Sequence, residues 1–576
     1  MTFRLPAPIL ESLFLFAVIV GPLFFGAVEP WSFAVLCLAI NTTVFFCALR
    51  GLPNLEQPIY RTLLPGIAAL LFIGVIQRFN PRSILEPASW LPASTSPNAT
   101  GRALWLWSTY AAALWCAPQV FNGLAAVKRL LATIFALGCT LAVVGIIQKA
   151  QYPEMYDNLI YGLRRAPFPL QPFGPYYNKD HAASLLIMTI FCGVGLLWNQ
   201  ASVMQERPKQ HDLFSIAAIQ TMIIFGIGIS LLGLLHTRSR GALAALLITG
   251  LALGIHSFWG RIYRTFLFIP ALALVLFAIT TSPIADKFSG SLIKTAIAER
   301  TMFYRSGMLI VSDFPLMGTG LGTLQQAYYP YQPREVRGIM EHIHCDWLEL
   351  LIQAGLAGFT AYILGFALFL RSCIKSPPHI AKRENPGLAQ GVGGGAIAFA
   401  IHGCIDFGFQ TPANALIFFL LLAALGILSS RNEDSQKPRL PLFSRIPQIA
   451  IAAAALTLVL FSVPPAVASW HYLNRKADSP ESCAKRLSLA IELDAQPKYH
   501  YELARHLASS MPQQIDGRIQ ILRQALAHAN SALLLDPASP NLRRLQDDIL
   551  WRLGRLADGK DLRNQDDRLE GGNGEY

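Results

Sequence analysis

Charge is scarce in this chain. Only 14% of its 576 residues are Asp, Glu, Lys or Arg, against roughly 25% in soluble domains. With 53% hydrophobic residues and a mean hydropathy of +0.40, that shortage excludes an ordinary soluble domain. Cysteine is sparse as well. The nine cysteines lie mostly in or beside apolar runs and none forms a CxxC pair, so neither a zinc site nor a disulfide framework is indicated. Alternation of apolar and polar residues is also missing. Continuous runs such as ALLITGLALG at 245–254 are not the pattern of a membrane β-barrel. The net charge of +12 lies largely in short loops, where anionic lipid accounts for it without a nucleic acid.

What remains is a series of apolar runs, each about 18–22 residues long, the length of a membrane-crossing helix. The fold expected is all-α: a polytopic helical membrane protein with about thirteen transmembrane helices. They fall near 8–28, 31–49, 62–77, 103–121, 129–148, 180–198, 215–235, 241–258, 264–281, 346–370, 388–404, 410–429 and 447–469. The first run has no small-residue cleavage site after it and reads as a retained span. The chain then divides into N-terminal transmembrane helices (1–281), a large polar loop (282–345), C-terminal transmembrane helices (346–469), a helical region (470–556) and a disordered polar tail (557–576). In the helical region AIELDAQP and ALLLDPASP resemble the helix ends of tetratricopeptide repeats. A plain helical hairpin fits equally.

Basic residues after the even-numbered spans, among them Arg50, Arg61, Lys128, Arg129, Arg371 and Lys375, put those loops and the N-terminus in the cytoplasm by the positive-inside rule. The opposite loops and the C-terminal region then face outside. Those outer loops are basic too, with Lys149, Lys179, Arg238, Arg240, Arg300 and Arg305. An anionic substrate on the outer face explains them most simply.

Four outer segments carry the chemistry. HTRSRGA at 236–242 holds Arg238 and Arg240 in a tight turn, and the guanidinium fork suits phosphate. An amphipathic segment near 296–312 carries Arg300 and Arg305 and leads into GTGLGT at 318–323. That glycine run either cradles phosphate or makes a tight turn against the membrane helices. EHIHCDWLELL at 341–351 offers His344 as a proton acceptor and Asp346 as its carboxylate partner or as a helix cap. His342, His344, Cys345 and Asp346 are too nearly consecutive to converge on one metal ion. GPYYNKDHAA and HGCIDFGFQTPAN add Lys179, His181, His402 and Asp406 as supporting groups, or as caps and interhelical partners.

The order of these motifs, with FFGAVEPW at 24–31 and above all HCDWLELLIQAGLAG at 344–358, resembles the O-antigen ligase and polymerase family of bacterial envelope enzymes over about residues 20–430. The resemblance implies an inverting, metal-independent glycosyltransferase of the inner membrane with no cofactor. It would move a glycan from undecaprenyl pyrophosphate to an acceptor hydroxyl on a glycolipid such as lipid A core, at the periplasmic face. Arg240 and Arg300 would bind the pyrophosphate, with Arg238 and Arg305 beside them, and His344 would be the base. A polymerase or a protein O-oligosaccharyltransferase would need the same donor chemistry. A lipid-linked glycan transporter is the alternative of another class. A protein partner is conceivable for the C-terminal helices. Two departures stand out: Cys345 where the family has asparagine, and Gln353 where it has glutamate.

Overall fold

The computed structural model describes residues 6–84, 86, 90–152, 159–166, 170–206, 213–258, 290–336, 340–375, 386–430, 446–475, 479–510, 512, 514–536 and 539–557. The expected span at 264–281 and the polar tail from 558 onward lie outside them. Every other expected span coincides with a helix. In chain order these are α1 (Ala7–Leu23), α2 (Pro30–Arg50), α3 (Leu64–Phe79), α4 (Pro97–Val120), α5 (Leu124–Gln151), α6 (Lys179–Glu206), α7 (Leu213–Thr237) and α8 (Arg240–Phe258). After α9 (Gly290–Asp313) and the short α10 (Leu324–Tyr328) come α11 (Asp346–Lys375), α12 (Pro386–His402), α13 (Pro412–Ser429) and α14 (Ile446–Leu473). Among the described residues 8 helices are long and apolar enough to cross a membrane, with α1 and α8 shorter apolar helices beside them. The chain is an all-α polytopic membrane protein. Its described sheet is one two-residue hairpin, Leu159–Ile160 against Arg164–Arg165.

Burial ranks the helices. The span of α13 is 89% buried and that of α6 is 83% buried, whereas α14 is 17% buried and lies on the rim against α2. An apolar run is favourable in lipid and in protein alike, so packing in such a bundle depends on close backbone approach. The α6–α12 pair achieves it with glycine. A Cβ on Gly391 would lie 2.4 Å from the Cα of Gly195.

The polar region before α11 is largely helical. α9 turns Gly307, Ile310 and Phe314 inward against Ile343 and Ile352. The glycine run that follows packs onto α11 where that helix breaks. Gly355 has φ +63° and ψ −175° inside α11, a conformation that side chains with a Cβ avoid. The N–H groups freed by the break are bonded by the polar region: Leu356 donates to Pro315 O at 2.8 Å and Ala357 to Leu316 O at 3.0 Å. Thr319 and Gly320 donate in return to the carbonyls of Ile352 and Gln353. Gln77 of α3 closes the joint, donating to Met317 O at 2.7 Å and accepting from Leu321 N at 3.1 Å. Of the two readings of GTGLGT, these contacts favour the tight turn against membrane helices. Gly355→Ala should lower stability by about 3 kcal/mol, from a strained φ and a Cβ only 2.3 Å from Leu316 O. Thermal unfolding in detergent measures it, with Gly228→Ala, whose Cβ meets nothing within 4 Å, as the neutral comparison.

The C-terminal region folds as α15 (Pro480–Leu493), α16 (Pro497–Ser509), α17 (Ile515–Leu535) and α18 (Pro540–Ala557), packed in sequence. Small residues at the crossing, Ala504, Ala508, Ala525 and Ala529, let the helices approach. Asp494 and Lys498 come within electrostatic reach of Arg102 on α4 and Glu29 before α2. This region therefore sits at the same end of the bundle as the α1–α2 turn.

Candidate active site

Five segments that are far apart in sequence meet at that end: the starts of α6 and α8, the middle of α9, the turn before α11, and the α12–α13 loop. The ring of Phe407 in that loop is the meeting point. It stacks on His342 with centroids 4.5 Å apart and takes the edges of His181 at 4.6 Å and His344 at 5.1 Å. His402 joins from α12, its Nδ1 2.8 Å from the Ser184 hydroxyl. A Cβ on Gly241 would touch the His402 ring at 3.1 Å, so the arginine turn abuts the same cluster.

Each histidine has its own setting. His344 carries φ +56°, a left-handed backbone rare outside glycine and found most often where a site holds a residue in place. Tyr304 of α9 fixes it, donating to His344 O at 2.9 Å. Burial pushes the His344 ring down to about 4, and the nearby charges of Arg300 and His342 push the same way. At neutral pH it is an uncharged proton acceptor. His342 goes the other way. Burial disfavours its charge, but Glu349, at 3.1 Å from Nδ1, overrides that and raises its pKa. Glu349 also accepts from Gln353 Nε2 at 3.0 Å, and Gln353 Oε1 takes the Gly322 N–H at 2.8 Å. Gln353 thus links the histidine turn to the glycine turn with a donor and an acceptor. A carboxylate there would set two acceptors face to face.

The arginines expected from the sequence separate. Arg300 lies on the α9 face that carries Phe303 and Tyr304, close enough to His344, His402 and Asp406 to act on their charges. Arg240 is half-buried at the first turn of α8, whose Ser239 cap accepts from Ala242 N at 3.4 Å. The Ser239 side chain also bonds Asp180. Arg238, another left-handed residue at φ +54°, lies within electrostatic reach of Lys149, as does Lys179. Arg305 is exposed, about 140° further round α9 than Arg300. The structure does not bring it to the cluster. Lys149 was legible as an outer basic residue, but only the fold adds it to Lys179 and Arg238. Phe407 carried no signal in the sequence.

Asp346 and Asp406 are both buried. The Asp346 backbone N–H donates to Gly403 O at 2.8 Å, and its Oδ2 accepts from Phe409 N at 3.2 Å. Asp346 lines a small cavity together with Trp107, Gln353, Tyr362 and Phe409. Asp406 Oδ2 stands 3.8 Å from His402 Nδ1, beyond a hydrogen bond. Burial, with Asp180 nearby, holds the Asp406 carboxyl up to about 8, so the contact is between neutral groups. His181 accepts or donates to Thr411 Oγ1 at 2.8 Å, and its carbonyl takes Asn414 Nδ2 at 2.8 Å. No group of three metal-ligating side chains occurs among the described residues.

The arrangement sets a neutral imidazole beside a guanidinium, with the helix N-termini of α6 and α8 pointing in. It can accept a proton from a hydroxyl while meeting negative charge nearby. Comparison with curated proteins gave no match. Residues 225–363 match the family model described as O-antigen ligase. The match takes in the arginine turn, Arg300 and Arg305 of α9, His344, Asp346 and the Gly355 break, and leaves Lys179, His181, His402 and Asp406 outside it. Over this segment the chain is similar to the O-antigen ligase family.

Proposed function

We propose that the chain transfers a glycan from a polyprenyl pyrophosphate, undecaprenyl pyrophosphate in bacteria, to an acceptor hydroxyl at the outer face of the inner membrane. The observation that carries this reading is the juxtaposition of His344, held neutral and left-handed, with Arg300. Pyrophosphate is already a good leaving group. The chemistry then asks for alignment of two reactants and for cations where negative charge grows. Arg300 and Arg240 meet the phosphates, with Lys179 and Arg238 extending the cationic wall. His344 takes the acceptor proton as the hydroxyl attacks the anomeric carbon from the face opposite the pyrophosphate, which inverts that carbon. Asp346 acts through the loop: it ties the histidine turn to the α12–α13 connection and so fixes where His344 stands.

The test is to give purified protein a lipid-linked glycan together with lipid A core and to identify the product by mass. Glycan on the core is the expected result. A longer lipid-linked chain would make the enzyme a polymerase, and glycan on protein a protein transferase. Movement of intact donor across a vesicle membrane without transfer would overturn the transferase reading.

A further inference from the structure

Cys345 lies between His344 and Asp346, where the resemblance calls for asparagine. Its peptide link to Asp346 donates to the peptide joining Gly403 to Cys404, at 2.8 Å. The two cysteines therefore flank the two ends of one hydrogen bond. Cys404 also lies close enough to Cys345 to act on its charge, and a disulfide asks for α-carbons roughly 4.4–6.8 Å apart. Tyr304 confirms the closeness from a third direction. Its hydroxyl is 2.9 Å from His344 O and 3.4 Å from Cys404 O. Both thiols are free, Cys404 exposed and Cys345 half-buried.

We propose that Cys345 and Cys404 are a redox modification site that closes to a disulfide and switches the neighbouring histidine turn off. The proposal rests on the outer location read above, where disulfides persist. The oxidant is a disulfide, on a protein or a small molecule. The Cys404 thiolate attacks it, forming a mixed disulfide and releasing one thiol. The Cys345 thiolate then attacks the Cys404 sulfur, forming the Cys345–Cys404 bond and releasing the second thiol. The protons of the two cysteines end on the two departing thiols. Burial raises both thiols above their usual range, so closure is slow at neutral pH and quickens in alkali. Closing the bond draws Cys345 off the apolar cluster that it, Phe303 and Tyr304 pack against, and turns the His344 peptide that Tyr304 holds.

Full-length protein in detergent is treated with oxidised glutathione, digested and mapped by mass. The expected result is a 345–404 linked peptide and a transfer rate lowered roughly a hundredfold, the scale of a misplaced reactant, both reversed by dithiothreitol. Cys404→Ser should keep its basal rate and ignore the oxidant. Full alkylation of both thiols after oxidation, glutathione trapped on Cys404 alone, or a linked peptide with an unchanged rate would each overturn the proposal. A membrane-impermeant maleimide on intact cells reads the sidedness separately. If Cys404 is labelled only after permeabilisation, the outer location fails, while the peptide map still decides whether the bond forms.

Discussion

Arg300→Ala should lower transfer about a hundredfold to a thousandfold while leaving the protein folded in the membrane. Loss of one donor aimed at developing negative charge has that effect in other enzymes. Arg300 is at the intermediate level of exposure on α9 and contributes no apolar packing to the Ile310–Ile343–Ile352 cluster, so truncation spares the fold. Its charge acts on His344, His402 and Asp406 together, which sets it beside the histidine cluster. Arg300→Lys should recover part of the rate, because a point charge remains but the bidentate fork is gone. Rates with lipid-linked donor, read beside a melting curve, check this. Equal rates for wild type and Arg300→Ala would remove Arg300 from the reaction. Arg305→Ala, on the exposed face of α9, is expected to change little.

His344→Ala should cost transfer about a hundredfold to ten-thousandfold, the range for a positioned general base, with a pH signature that a structural role would not produce. An ordinary histidine titrates near 6.5. Burial first, and then Arg300 and His342, push His344 down to about 4. The active form is the neutral ring, so activity is fully present at neutral pH and falls only as pH drops through about 4. The wild-type kcat/KM profile should be flat from neutral pH down to about 5, and a His344→Gln variant should lose the acid limb altogether. An acid limb near 6.5 in the wild type would mean that another histidine is the base. His342 is the obvious rival, since Glu349 raises its pKa above the ordinary histidine value.

The helices were legible because apolar length is a one-dimensional property. Each described span follows from its run of residues alone. The arginine and histidine segments were legible for a related reason. A charge is conspicuous in a chain with so few. What the sequence could not supply was the ring of Phe407, one aromatic among many, which becomes central only when three histidines from two distant segments surround it. Nor could it separate Arg300 from Arg305, since both precede the glycine turn and only helix phase distinguishes them. Gln353 looked like a departure from a family glutamate. In the fold it has two partners, Glu349 and the Gly322 N–H, that an amide serves and a carboxylate does not. Asp346 could be read as cap or catalyst from its position. Its hydrogen bonds to the α12–α13 loop are consistent with a positioning role.

The break at Gly355 also sets a depth. Unbroken, the 30-residue α11 would run about 45 Å at 1.5 Å per residue, far more than the roughly 30 Å of bilayer hydrocarbon. From 356 to 375 the helix is about 30 Å long and fills that thickness by itself. The roughly two and a half turns before the break then extend beyond the hydrocarbon into the headgroup layer. Glu349 and the histidines of the turn stand at that end of α11, beyond the length that fills the hydrocarbon, which suits the proposed lipid-linked donor, whose phosphates lie in the headgroup layer.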